Sequence, residues 1–333
     1  MKLPVAIRGM GAYLPSAVVT NDDLSKVLDT SDEWITTRTG IRERHIAGAD
    51  EATSDLATAA AKSALVDAGL GIEDVTAIVV ATTTPDHVIP ATGPIVAAKL
   101  GTEVAAFDVN AACSGFLYGL RVGGALAATG DGAVLVIGAE TLSRVTDPAE
   151  RSTRVLFGDG AGAVVLTRDD DAVMGPFELG VDGRDPSMLW LEAGGTRLPI
   201  TEDNIGDRRH FLTMRGGDVY RNAVTRMAGA ASAVLANAGL DVSEVDLFVG
   251  HQANIRILDA VGQRLGISEE QMHVTVDRHG NTSAASVPLA LEDARAAGRL
   301  KPGAKVLLAA FGAGMTWGAC MVTWQATGIE AHR

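Results

Sequence analysis

Three residues in this 333-residue chain combine a reactive side chain with suggestive surroundings: Cys113, His251 and Asn281. Cys113 lies in AAFDVNAACSGFLYGL, where the pattern predicts a strand ending near Asn110 and a helix starting at the cysteine itself. The thiolate is the nucleophilic form of cysteine, and helix N-terminal amides favour negative charge, so this placement predicts a depressed pKa. Ala111, Ala112, Ser114 and Gly115 are all small and leave room for a substrate carbonyl. The competing reading is a buried, inert cysteine, and Cys320, in the late apolar strand GACMVTW, fits that description.

His251 follows the apolar run VDLFVG in GHQANIRI, so it is predicted at a strand end just before a helix, the edge where α/β proteins tend to build sites. A hydrogen-bonded structural histidine is the plainer alternative. Asn281 in DRHGNTSAASVPLAL precedes a helix opened by Thr282 or Ser283, and by itself reads as a turn or cap residue.

The elements that must carry these residues show an internal repeat. AKSALVDAGLGIEDVTAIVV at 61–80 resembles ASAVLANAGLDVSEVDLFVG at 231–250, and the strand-like GAVLVIGA from Gly132 has its counterpart in GAKVLLAA from Gly303. Both matches fall at nearly the same offset, close to half the chain. This predicts a duplication, 1–170 with the cysteine and 171–333 with the histidine and asparagine, related by a pseudo-twofold. The offset sets Asn281 against Asn110, so Asn281 and Cys113 are expected to face one cleft.

Within each half, apolar strands alternate with helices. The first half reads as helix Ser54 to Ala68, strands Thr76 to Ala81 and Val104 to Val109, a small-residue helix from Cys113 and strand Ala133 to Gly138. The second repeats the order with a helix around Gly217 to Ala238, strand Asp246 to Gly250, a helix after Ala284 and strand Ala304 to Ala310. Continuously apolar strands between helices predict an α/β fold with sheets covered on both faces. The polar, Gly- and Asp-rich stretch 182–209 reads as a surface excursion able to line a pocket.

Composition narrows the function. Hydrophobic residues make up 47% and charged residues 21%, which predicts a globular chain with a large core. The net charge of -13 argues against general affinity for nucleic acid or anionic membranes. Neither a signal-peptide core nor a spanning apolar run is evident, so a cytoplasmic protein is expected. Two cysteines and seven histidines without ligand spacing predict no disulfide framework and no metal.

The segments TSDEWITTRTGIRERHIA, AACSGF, DPAERSTRVLFGDGAGA, HQANIRI, RHGNTSAASVP and FGAGMTWG closely resemble the β-ketoacyl-acyl carrier protein synthase III family, over nearly the whole chain. These are the initiating condensing enzymes of type II fatty acid synthesis. The resemblance implies a thiolase-like αβαβα fold of two duplicated halves, usually a homodimer. It implies that Cys113 takes an acyl group from acyl-coenzyme A and that His251 and Asn281 assist decarboxylation of malonyl-acyl carrier protein (malonyl-ACP). The backbone N–H groups of Cys113 and Ala313 would form the oxyanion hole, and no permanently bound cofactor is expected.

The same resemblance assigns the coenzyme A arm to Trp34, Arg38, Thr39 and Arg151 near the nucleotide and to Gly216 and Asn254 along the pantetheine. The acyl pocket would be lined by Leu142, Phe157, Leu189, Leu212 and Phe311. Ile89 stands where some relatives carry a phenylalanine that reaches across the dimer into the partner's pocket, which predicts room for longer or branched primers. Gln252, Arg256, Arg221 and Arg264 would form the carrier-docking surface, since an acidic carrier needs a local basic patch on this acidic chain. Gln263 departs from a basic residue seen in some members, which predicts weaker docking. Each of these residues reads equally as plain core, cap or solvated charge without the resemblance.

Rival readings are weaker. A papain-like hydrolase uses Cys, His and Asn with the latter two roughly 130–150 residues downstream, but the local signature after Cys113 is absent. The glycines in 158–162 and 312–314 are followed by strand-like runs where a dinucleotide site needs a helix. A pathway-dedicated relative that primes polyketide synthesis, or that passes its acyl group to another acceptor, would look alike at these positions. A nonenzymatic acyl-binding protein is the remaining alternative.

Overall fold

In the computed structural model, which describes residues 2–325, the duplication takes the form of two sheets with matching strand order. The first sheet runs Ala105–Val109, Val75–Ala81, Ala133–Thr141, Asp159–Arg168, Val5–Tyr13, with neighbours parallel, parallel, antiparallel, antiparallel. The second runs Leu247–Gly250, Lys305–Gly312, Thr316–Thr323, Met174–Val181, with neighbours parallel, antiparallel, antiparallel. The counterpart of Ala105–Val109 is reduced to a single parallel bridge between Phe248 and Met272.

The strands are apolar on both faces because both faces are covered. Val79, Val136 and Val164 of the first sheet and Val249, Val306 and Leu308 of the second point into one shared core. Between them lie the helices Gly115–Thr129 and Ser286–Ala296, which contribute Phe116, Leu117 and Leu120 and Val287, Ala290 and Leu291. The alternate strand residues Ile78, Val80, Leu135 and Ile137 face outward onto the alanine-rich stripe of helix Thr53–Ala68. Phe248, Leu307 and Ala309 pack likewise against helices Gly216–Ala238 and Ile255–Leu265. The result is five layers, α-β-α-β-α, with the expected elements within a few residues of their predicted bounds. No helix among the described residues is long and apolar enough to cross a membrane.

The two central helices begin at related turns. Ala112 and Ser283 have φ values of 47° and 48°, both in the left-handed region that a residue with a side chain seldom adopts. Each follows an asparagine whose side-chain oxygen accepts a backbone N–H two residues on: Asn110 from Ala112 at 3.3 Å, Asn281 from Ser283 at 2.9 Å. The repeat seen in the sequence is thus preserved down to an Asx-turn ahead of each central helix.

Candidate active site

Cys113 sits in the one-turn 3-10 segment Ala112–Ser114, ahead of the helix Gly115–Thr129 rather than at its first residue. The turn is clamped by the other half of the chain. Thr316 Oγ1 donates to the Ala111 carbonyl at 2.7 Å and accepts from Ser114 Oγ at 2.8 Å. Gly312 passes so close that a Cβ there would lie 2.5 Å from the Cys113 backbone nitrogen.

The cysteine is buried, and burial pushes its thiol up to about 12, with the nearby Glu140 adding to the effect and the proximity of the Ser283 hydroxyl opposing it. The depressed pKa predicted from the helix start is therefore not found. Loss of water around a charged sulfur outweighs the dipole of a helix that begins two residues later. Burial likewise raises the Cys320 thiol, which lies in the strand Thr316–Thr323 away from any cavity described.

Two cavities of about 400 Å³ each meet at Cys113. The first is lined by His251, Asn281, Phe311, Gly216, Asn254, Arg221 and Arg256 among others, so residues more than a hundred positions apart converge on the cysteine. The second is mainly apolar, walled by Leu142, Val145, Phe157, Leu189, Trp190, Leu191 and Leu212, with Ala313 and Thr83 also on its surface. Leu189, Trp190 and Leu191, together with Pro186, which also lines this cavity, come from the 182–209 excursion.

His251 follows the strand Leu247–Gly250, and its backbone N–H continues the sheet by bonding the Ala309 carbonyl at 2.8 Å. Burial pushes its imidazolium down to about 3, so the ring is neutral at ordinary pH. Asn281 spends its oxygen on Ser283 N–H, which leaves the amide NH₂ as its free end. A neutral imidazole and an amide donor on one cavity wall beside a thiol can stabilise a developing oxyanion.

Behind the cysteine, Glu140 is fully buried and accepts from Thr83 N and Oγ1, Thr84 N and Oγ1, Thr82 Oγ1 and Ser283 Oγ. Burial raises its pKa and these donors oppose the rise. The network ties the ends of two strands of the first sheet to the turn that carries Asn281. Sequence reading offers Ser283 only as a helix start and gives no sign of Glu140 or of the cavity residues Thr83, Val145 and Trp190; apolar and hydroxyl residues at strand spacing carry no signal that separates a wall from a core.

The nucleotide-arm residues divide. Trp34 is half-buried, with the guanidinium carbons of Arg38 and Arg151 at 4.5 and 4.6 Å from its ring centre. Asn254 caps helix Ile255–Leu265 through Arg256 N–H and donates to the Arg38 carbonyl at 3.0 Å, tying this stack to the mouth of the first cavity. Thr39 does not fit its predicted place: it is buried, and its hydroxyl proton goes to the Ile35 carbonyl while its oxygen accepts from Ile41 N–H, so the side chain serves the turn after the helix and presents no donor at the surface for a nucleotide.

Gln252 is a second correction. It is 1% exposed, and its amide bonds the Gly250 and His273 carbonyls and the N–H groups of Thr275 and Val276. A side chain locked into four backbone contacts holds the loop after His251 and offers nothing to a docking partner. Arg221, Arg256 and Arg264 are exposed as expected, the first two on the cavity wall, and Gln263 is exposed beside Arg264. Ile89 is 87% exposed and lines neither cavity of its own chain, so any part it has in an acyl pocket is in that of another copy.

Comparison with known proteins places the chain in a family. Models of the 3-oxoacyl-[acyl-carrier-protein] synthase III family match residues 107–183 and, for its C-terminal part, 235–324. A β-ketoacyl-[acyl-carrier-protein] synthase III of Streptomyces coelicolor is 50% identical over 96% of this chain and 97% of its own. The chain belongs to the β-ketoacyl-acyl carrier protein synthase III family. It is accordingly an acyltransferase of the condensing type with the thiolase-like fold. The solved synthase III of Thermus thermophilus superposes with a TM-score of 0.90 at 44% identity, covering 97% of this chain and 100% of that one. The priming β-ketosynthase from the R1128 polyketide biosynthetic pathway also reaches 0.90, at 35% identity and 97% coverage of both chains.

Proposed function

We propose that this chain joins an acyl-CoA primer to malonyl-ACP through an acyl-Cys113 intermediate, initiating fatty acid synthesis. The observation that carries the reading is the convergence of Cys113, His251 and Asn281 on one cavity that continues, past the cysteine, into a second, apolar one. The pantetheine arm of coenzyme A enters along Gly216 and Asn254, with the adenine of its nucleotide against Trp34 and the two arginines. The acyl chain lies against Leu142, Phe157, Leu189 and Leu212.

In the first step Cys113 sulfur bonds the thioester carbonyl carbon, the coenzyme A sulfur leaves, and the proton of the resting thiol passes to it. The Cys113 and Ala313 N–H groups receive the oxyanion. In the second step malonyl-ACP loses carbon dioxide, and the His251 ring N–H and Asn281 amide hold the enolate oxygen. The enolate carbon attacks the acyl-cysteine, which frees the thiolate and releases 3-ketoacyl-ACP. No permanently bound cofactor takes part in this scheme.

Intact mass after incubation with short, branched and long acyl-CoAs is the direct test. A covalent adduct on the native chain, absent from Cys113→Ala and lost with 3-ketoacyl-ACP formation when malonyl-ACP is added, is the expected result. An adduct inert to malonyl-ACP would overturn the condensation. A second reading, priming of a polyketide pathway, draws on the 400 Å³ apolar cavity, which exceeds the needs of an acetyl group, and on the likeness to the R1128 enzyme. A marked preference for longer or branched primers in the same panel would favour it.

The carrier protein is read as docking on Arg221, Arg256 and Arg264, and two copies of the chain as pairing so that Ile89 of one reaches the other's cavity. Arg256→Glu is expected to raise the KM for malonyl-ACP about tenfold, equivalent to about 1.4 kcal/mol, and to change its salt dependence. Unaltered KM and salt response would remove Arg256 from docking.

A further inference from the structure

Ser286 has no part in the steps above, yet it is the protein partner of the His251 ring. It is the first residue of helix Ser286–Ala296 and is 1% exposed, with Oγ 2.6 Å from His251 Nδ1. The Gln252 backbone N–H also approaches this oxygen, at 3.4 Å. A serine hydroxyl has one proton and two lone pairs. The amide takes a lone pair, and among the described residues Nδ1 is the acceptor in reach of the proton.

A nitrogen that accepts a hydrogen bond is bare. The ring is neutral because it is buried, so its single proton must then be on Nε2, which makes no hydrogen bond to a described residue while the ring lines the cavity with Cys113 and Asn281. Among the described residues Ser286 is the hydrogen-bond partner of the ring, since the backbone N–H of His251 is spent on Ala309.

We propose that Ser286 is a positioning residue that fixes His251 as its Nε2–H tautomer, so that the imidazole enters the reaction as a hydrogen-bond donor and not as a proton acceptor. The inference rests on the function proposed above and deepens it, because an enolate oxygen requires a donor. The same bond holds the ring against rotation about its side-chain torsions. The duplication gives this serine no equivalent, since the corresponding position in the first half is Gly115, where an added Cβ would already touch those of Ala81 and Ala284 at 3.4 and 3.6 Å.

The test begins with the unmodified protein. Long-range proton–nitrogen NMR of histidine-labelled enzyme should show His251 with a proton on Nε2 and a bare, hydrogen-bonded Nδ1; a proton on Nδ1 would overturn the proposal whatever the enzyme's activity. In Ser286→Ala the Nδ1 signal should lose its hydrogen-bond shift and the two tautomers should mix. Condensation kcat should fall about ten- to a hundredfold, the range expected from one buried hydrogen bond. Acylation of Cys113 by acyl-CoA, read by mass, should change far less. Ser286→Thr, which keeps the hydroxyl, should restore both the tautomer and most of the rate. Equal loss of both half-reactions in Ser286→Ala, with an unchanged ring spectrum, would make Ser286 merely structural. Failure of the native enzyme to form any acyl adduct would instead strike the proposed function and leave the tautomer standing.

Discussion

His251→Ala and Asn281→Ala are each expected to lower the rate of carbon–carbon bond formation by about 10²–10³-fold while Cys113 still takes up an acyl group. The size follows from the loss of one of two donors assigned to an oxyanion beside two side chains, His251 and Asn281, that are themselves buried. The separation of steps follows from placement, because the acyl-transfer oxyanion is assigned to backbone N–H groups of Cys113 and Ala313, which neither substitution removes. Single-turnover release of carbon dioxide from malonyl-ACP, run beside the mass of acylated Cys113, reads the two steps independently. The double variant should be little worse than either single one, since the two donors serve one oxygen. Wild-type decarboxylation by Asn281→Ala would exclude the amide from the reaction.

Gly312→Ala is expected to slow Cys113 acylation by at least about a hundredfold, the cost of misplacing a reacting group by about 1 Å. The added Cβ would meet the Cys113 nitrogen at 2.5 Å and both the Ala112 Cβ and the Ser114 nitrogen at 3.1 Å. Backbone atoms cannot swing aside as the tip of a long side chain can, so the turn carrying the nucleophile must move. Stability should also fall by about 1–3 kcal/mol through overpacking. Gly229→Ala is the matched control: that glycine lies on the exposed face of helix Gly216–Ala238 with open space around its Cβ position. Better helix propensity there should raise stability by about 0.5–1 kcal/mol with kcat unchanged. Thermal unfolding together with single-turnover acylation distinguishes the two substitutions; normal acylation by Gly312→Ala would show that the turn tolerates the shift.

Much of the architecture was visible as repeated pattern. The pair around Ala68 and Ala238 and the two strands from Gly132 and Gly303 reveal the duplication because related halves bury related faces, and the hydrophobic spacing must recur. The match of Asn281 to Asn110 was legible for the same reason, and both form the same local turn. The edge strand was not: Ala105–Val109 has full pairing in one half, whereas a single bridge at Met272 stands in for it in the other, a difference that depends on what each sheet edge meets.

Residue type and spacing are sufficient to single out Cys113, His251 and Asn281, since nucleophile and donors are chemical properties each side chain carries with it. Their protonation and the fate of their neighbours are not carried in the same way. Cys113 has its pKa raised where the helix start alone implied a depressed one, and Thr39 and Gln252 turn inward to satisfy backbone groups instead of meeting ligands. Ser286 gains its importance from a histidine thirty-five residues away in sequence. Desolvation and hydrogen-bond satisfaction belong to an environment assembled from both halves, and that environment exists only once the two sheets have closed around the central helices.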